Sequence, residues 1–329
     1  MSDKKYFNEL NIVRGIAVLL VAIGHSFPDL QTGMKYTVAV FIRNYIYDFH
    51  MAVFFFVSGF LCLVGIKKYT LIEEFQKKVQ RIMIPYFSYS FISIILKLLF
   101  NKYANNKFQW NKVWKILLGD SPNFGLWFLW TLFIVWMFID VLLRMNVQSG
   151  IILSAGIVLN LVQLYIGGGN LEYFMKFFVF FACGIVAYQN YDRISNFMSN
   201  KKNAILALVG LLIIFIFSLM QTLNIIGEEF YIITGMIGIF STLQISMIIS
   251  NGTSFFKKIL DEYGNYSYDI YLIGYYPQMA VRTVLDRILS INYIVVCISM
   301  FIAGFYVALF IAKYFLRKTR VMKKIFLGM

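Results

Sequence analysis

Charged side chains are scarce in this sequence: Asp, Glu, Lys and Arg make up 14% of its 329 residues, against about a quarter in a soluble globular domain. Apolar residues account for 60% and aromatics for 19%, with a mean hydropathy of +0.71. That composition excludes a water-soluble fold. Roughly 200 apolar residues, at about 20 per bilayer crossing, give room for on the order of ten helices, so the class is an all-α polytopic membrane protein. The 4 prolines and 22 scattered glycines exclude collagenous or Pro-rich chains. Cysteine is rare too: Cys62, Cys183 and Cys297 each lie in an apolar stretch, with no CxxC pair and no Cys/His cluster. Neither a disulfide framework nor a metal site is expected, and the three read as small buried hydrophobes.

Acidic residues number 16 against 30 Lys and Arg, a net charge of +14. Such an excess raises nucleic acid as a partner, but the basic residues lie mostly between apolar segments, so none is expected. The N-terminal MSDKKYFNEL leads into a long apolar run without a small-x-small cleavage site. The first helix is therefore expected to be retained, and residues 1–329 to form one transmembrane domain without a fused soluble one.

Ten apolar runs stand between polar breaks: Asn11–Phe27, Phe49–Ile66, Ile82–Phe100, Leu126–Met145, Ile151–Ile166, Leu171–Tyr188, Ala204–Leu223, Phe230–Ile249, Ser267–Val284 and Tyr293–Phe315. An even count puts both termini on one side. On that side fall twenty of the 30 Lys and Arg, among them Lys67, Lys77, Arg81, Arg144, Lys257 and Arg317. The positive-inside rule makes it the cytoplasmic side. Val38–Asp48 is too polar and too close to the second run to cross separately, and is expected to lie as a lip along the outer interface. The basic stretch Asn101–Asp120, with Lys102, Lys107, Lys112 and Lys115, faces outward, either towards an anionic glycan or onto headgroups. Gly167-Gly168-Gly169-Asn170 reads as a tight turn, because no Lys-Ser/Thr helix start follows it. No internal repeat is visible.

Only two histidines occur, His25 and His50. His25 closes NIVRGIAVLLVAIGHS, with Arg14 eleven residues before it. Eleven residues turn a helix about 1,100°, some 20° past three full turns, and rise about 16 Å. Arg14 and His25 therefore share a face, an unfavourable arrangement in lipid unless that face lines a polar cavity. Taken singly, Arg14 also reads as a snorkelling arginine and His25 as an interfacial histidine. His50 opens DFHMAVFFFVSGFL near the same outer interface, with Ser58-Gly59 about two turns deeper, where small residues ordinarily permit close helix packing. Asp29 is placed to orient His25, although Pro28 intervenes. Lys97, Asp140, Lys176 and Asp269 are either cavity-lining or membrane-edge charges. Arg81, in KKVQRIMIPYF, is positioned to meet an anionic cytosolic ligand and equally reads as an ordinary positive-inside arginine.

These segments resemble the membrane-bound acyltransferase 3 family, particularly its sugar O-acetyltransferase branch. RGIAVLLVAIGHS (Arg14–Ser26) is similar to the family's first-helix signature and FHMAVFFFVSGFL (Phe49–Leu61) to its second. KKVQRIMIPYF (Lys77–Phe87), LWFLWTLF (Leu126–Phe133) and SYDIYLIGYYP (Ser267–Pro277) resemble three further segments. Two departures stand out: Asn11 replaces an acidic residue three before the arginine, and Gly274 stands where many members have a histidine.

The resemblance implies acyl transfer from a cytosolic acyl-CoA, most often acetyl-CoA, to a sugar hydroxyl of a surface or lipid-linked glycan, in a bacterial cytoplasmic membrane. On that reading Arg14, with Arg81, holds the donor phosphates, and His25 is the general base or carries an acyl relay. His50 positions the acceptor or polarises the carbonyl. Ser58 and Trp127 are further acceptor contacts, Trp127 as a stacking platform or an interfacial anchor. Some members carry a soluble esterase-like domain; if one is needed here, it is a separate extracytoplasmic protein. Two other classes fit the residues: a flippase or exporter of lipid-linked glycans, and a structural membrane subunit.

Overall fold

The computed structural model describes residues 7–28, 37–100, 109–166, 168–200 and 203–329. Among these no strand occurs; the architecture is all helical. In chain order the α-helices are α1 (Asn8–Gly24), α2 (Thr37–Tyr47), α3 (His50–Ile66), α4 (Leu71–Lys78), α5 (Ile84–Leu99), α6 (Trp127–Arg144), α7 (Ser149–Val162) and α8 (Asn170–Gln189). They continue with α9 (Tyr191–Met198), α10 (Ala204–Thr222), α11 (Tyr231–Ser250), α12 (Phe255–Val281), α13 (Tyr293–Ile302), α14 (Ala308–Ile311) and α15 (Arg320–Phe326). Short π-helical turns join α4 to α5 and α13 to α14.

Every apolar run read from the sequence carries a helix. Seven helical stretches are long and apolar enough to cross a bilayer by themselves: Thr37–Ile66, Leu71–Leu99, Phe124–Arg144, Asn170–Gln189, Ala204–Thr222, Glu228–Ser250 and Tyr293–Leu316. The other three expected spans differ for physical reasons. α1 and α7 have 17 and 14 residues, and α12, though 27 residues long, carries Lys257, Lys258, Asp261, Glu262 and Asp269. Such polarity is tolerated inside a bundle, and α1 and α12 are packed on each other and on neighbouring helices.

Small residues set the closest approaches. Gly15 of α1 lies against the Leu260 carbonyl of α12, and Gly264 of α12 against the Asn11 carbonyl of α1, so a side chain on either would overlap the facing backbone. Gly59 of α3 and Gly184 of α8 make the same exchange with the backbones of Phe181 and Phe56. Backbone contact of this kind maximises dispersion where lipid supplies no hydrophobic drive between helices. The interior is then filled by phenylalanines: Phe55, Phe178, Phe180 and Phe181 are fully buried. Of the apolar stretch in α8, 61% is buried, against 22% in α10, which places α8 inside and α10 at the lipid-facing rim.

The segment expected to form an outer lip is the helix α2, and it packs on α10. Phe41 of α2 packs on Phe215 of α10 with ring centroids 4.9 Å apart, and Asn44 Nδ2 donates to Thr222 Oγ1 at 3.2 Å. Its polarity argued against a separate crossing, and two of its polar residues, Asn44 and Asp48, find partners on α10 that no local pattern reveals.

Candidate functional site

At one end of the bundle α1 stops at Gly24, and His25 is its C-cap residue, its N–H donating to Val21 O at 3.1 Å. The helix therefore ends earlier than the expected Phe27. A Cβ at Gly24 would stand 2.7 Å from a ring carbon of Tyr47, so the glycine makes the space in which the last residue of α2 lies beside α1. Tyr47 Oη then stands 3.2 Å from His25 Nδ1. The Tyr47 ring lies between the histidines, its centroid 5.9 Å from His25 and 4.9 Å from His50, with the Arg43 guanidinium 4.8 Å above it.

His50 is buried, and its Nδ1 is 2.8 Å from the carbonyl of Ile46. A carbonyl only accepts, so Nδ1 carries the proton and a neutral His50 keeps its lone pair on Nε2. The corner presenting Tyr47 and His50 is pinned by Asp48, whose carboxylate accepts from Ser218 Oγ and, at 3.0 Å, from Gln221 Nε2. Thr234 Oγ1 donates to the Asp48 carbonyl at 3.1 Å, adding α11 to the clamp. From α12, the buried Gln278 donates to Ala22 O at 3.0 Å and to Ser26 Oγ at 3.2 Å, fixing the end of α1 beside His25.

At the opposite end, Arg14 Nη2 donates to Asn11 Oδ1 at 3.0 Å. Asn11 Nδ2 in turn donates to the Asp261 carbonyl at 2.9 Å and, at 3.3 Å, to its carboxylate. Asn11 thus supplies the oxygen that an acidic residue would give Arg14, and the acid sits one step behind it on α12. Arg81 meets the same helix: its guanidinium lies 4.8 Å over the Tyr268 ring. Asp261 and Tyr268 are seven residues apart, one face of α12 about 10 Å along its axis. Arg81 thus meets that face directly, and Arg14 is linked to it through Asn11.

Pro85 explains the backbone around Arg81. It has no N–H for the carbonyl four residues back, which is that of Arg81, and the chain widens there into the π-turn Val79–Met83. Tyr268 Oη takes the freed carbonyl at 2.6 Å. The C-terminal segment covers the arginine from the other side. Arg81 Nη1 donates to Leu327 O at 3.3 Å, Ser88 Oγ to Ile325 O at 2.9 Å, and Leu327 is fully buried.

The remaining expected residues lie apart from both ends' clusters or are engaged locally. Ser58 Oγ donates to Phe54 O at 2.8 Å within its own helix, while Gly59 beside it does the packing. Trp127 stacks on Tyr173 at 4.3 Å and packs on Phe177 at 5.1 Å, in an aromatic stack that continues to Phe55. Three of the four interior charges are ion-paired: Asp140 with Arg144 at 2.7 Å, Lys176 with Glu228 at 2.8 Å, and Asp269 with Arg317 at 2.6 Å. Lys97 is half-buried. Asp29, Lys102 and Lys107 lie outside the described residues. Gly274 has a packing reason: a Cβ there would stand 2.6 Å from the Gly304 carbonyl, so no histidine fits. Neighbouring Tyr276 donates to the Tyr89 carbonyl at 2.8 Å and shares a 2.9 Å hydrogen bond with Ser93 Oγ.

Sequence reasoning did not find Tyr47, Arg43, Asp261 or Gln278. Tyr47 had a signal, standing three residues before His50 as Asn11 stands three before Arg14; the two α12 residues reach α1 across 250 positions or more and left none.

The fold and this pair of clusters define a polytopic helical membrane protein with a histidine–tyrosine centre at one end and two arginines towards the other. The family model described as an acyltransferase domain, Acyl_transf_3, matches residues 7–313. The chain belongs to the acyltransferase 3 family and is a membrane acyltransferase. Comparison with curated proteins and with solved structures gave no significant match.

Proposed function

We propose that the protein moves an acetyl or similar acyl group from cytosolic acyl-CoA to a hydroxyl of a surface or lipid-linked glycan, with its arginine end facing the cytoplasm of a bacterium. The observation that carries this reading is the grouping of His25 and His50, each in contact with Tyr47, while Arg14, through Asn11, and Arg81, directly, are tied to α12 towards the other end. An acyl-CoA is a string with phosphates near one end and a thioester at the other, and about 16 Å of helix separates Arg14 from His25.

In this mechanism the His25 Nδ1–H donates to Tyr47 Oη, which leaves the lone pair on Nε2 for the acceptor hydroxyl. The hydroxyl oxygen attacks the thioester carbonyl as its proton passes to Nε2. The tetrahedral oxyanion collapses, the C–S bond breaks, and the leaving thiolate takes the proton back from the imidazolium. An O-acyl ester and CoA thiol result. His50, its Nδ1–H spent on Ile46, can only accept through Nε2 and so orients the acceptor by accepting a hydrogen bond from a neighbouring hydroxyl, the reacting O–H being committed to His25; as a neutral ring it has no N–H left to polarise the carbonyl.

Calorimetric binding of acetyl-CoA to the detergent-purified native chain, Arg14→Ala and His25→Ala tests the reading. It expects micromolar binding that Arg14→Ala weakens and His25→Ala keeps. A folded native chain that binds no acyl-CoA overturns it and favours transport of an amphiphile.

A further inference from the structure

A cleft of about 410 Å³ opens where several helices end on the arginine side of the bundle. Phe7, the N-cap of α1, meets there Lys67, the C-cap of α3, and Tyr188, Gln189, Tyr191 and Asp192 from the α8–α9 junction. Its volume falls in the range of small-molecule sites, about 300–1,000 Å³. The inner wall carries Phe7, Tyr188 and Tyr191; Phe7 stands edge-on to Tyr191 at 4.8 Å, and the buried Phe60 behind them is edge-on to Phe7 at 5.0 Å and to Tyr188 at 5.2 Å. The rim is polar, with exposed Lys67 and Asp192, and the Lys67 ammonium lies 5.3 Å over the Tyr188 ring.

That combination suits a planar heteroaromatic ring bearing an amine and a phosphate. Aromatic faces stack a base of any sequence, an exposed ammonium pairs with phosphate as a point charge, and a carboxylate accepts from an exocyclic amine. The cleft is also fixed to the helix carrying the arginine and histidine of the proposed centre, because Tyr191 Oη donates to Glu9 Oε1 of α1 at 2.7 Å. Phe7 precedes Arg14 by seven residues, about 10 Å and 20° short of two turns. Along α1 the order is therefore aromatic cleft, guanidinium, imidazole. That is the order of base, phosphates and thioester along a CoA ester.

We infer that this cleft receives the adenine nucleotide end of the donor, with Tyr188 and Phe7 against the base and Lys67 on the 3′-phosphate. The inference rests on the acyl-CoA reading proposed above. Three probes test it on the full chain in detergent: CoA, 3′-dephospho-CoA and adenosine 3′,5′-bisphosphate, each titrated into the native chain, Tyr188→Ala, Tyr188→Phe and Lys67→Ala. Tyr188→Ala is expected to weaken CoA and the bisphosphate at least about fivefold, the loss of one stacking partner, with Tyr188→Phe close to native. Lys67→Ala, an exposed change that leaves the fold intact, is expected to weaken CoA and the bisphosphate and to leave dephospho-CoA within about twofold, since its phosphate partner is already gone. Native-like CoA binding by both Tyr188→Ala and Lys67→Ala, with Arg14→Ala still weakened, places the base elsewhere and overturns this inference alone. No CoA binding by the native chain overturns the donor reading itself.

Discussion

Replacing Tyr47 by Phe removes one oxygen atom from the centre and leaves the ring that Gly24 accommodates. The oxygen stands 3.2 Å from His25 Nδ1, a contact that orients the imidazole without touching either substrate in the proposed mechanism. A single neutral hydrogen bond contributes about 0.5–1.5 kcal/mol. At about 1.36 kcal/mol per tenfold in rate, the expected loss in turnover is about twofold to thirteenfold. This is far smaller than the roughly 10²- to 10⁴-fold expected for losing a general base. The donor KM should stay within about twofold, because Tyr47 sits at the far end from Arg14 and Arg81, and the unfolding temperature should fall by no more than about 4 °C. The assay is transfer of labelled acetyl from acetyl-CoA to cell-envelope glycan in proteoliposomes, with kcat and donor KM separated. Turnover of Tyr47→Phe equal to native would show that the hydroxyl does not orient His25, and the tautomer argument would fall with it.

Three further outcomes follow from contacts elsewhere. Asn11→Ala takes away the oxygen 3.0 Å from Arg14 Nη2, and about 1 kcal/mol of lost orientation should raise the donor KM roughly fivefold with kcat little changed, read from steady-state kinetics. Gly274→Ala places a Cβ 2.6 Å from the Gly304 carbonyl, and overpacking of this kind costs about 1–3 kcal/mol, visible as a lower unfolding temperature in detergent. Leu327→Ala empties a fully buried site at about 2–5 kcal/mol; the tail over Arg81 should loosen, and trypsin should cut at Lys323 and Lys324 faster than in the native chain.

The parts of this molecule legible in the sequence are those that depend on local pattern. Ten apolar runs mark where helices form, because a bilayer demands about 20 apolar residues whatever the neighbours are. The Gly59 reading as a packing residue also holds, since its lack of a side chain is what lets α3 meet α8. Polar helices are harder to read. α2 reads only as a segment too polar to cross separately, and its seat on α10 is not visible until Asn44 is seen to find Thr222, 178 positions away. The same holds within the site. Asn11 reads as a departure from the family's acid because the sequence does not show Asp261 waiting behind it, and Gly274 reads as a missing histidine until the Gly304 carbonyl is found against it. Arg81 is visible as a charge, but the use of its carbonyl by Tyr268 and of its guanidinium by Leu327 depends on tertiary contacts.

The central claim is that His25 is the group that takes the acceptor's proton. The most direct measurement is the rate of acyl transfer in proteoliposomes by His25→Ala, alongside calorimetric binding of acetyl-CoA by the same preparation. The account expects donor binding to persist while transfer falls by about 10²- to 10⁴-fold; a folded His25→Ala protein with near-native transfer would contradict it.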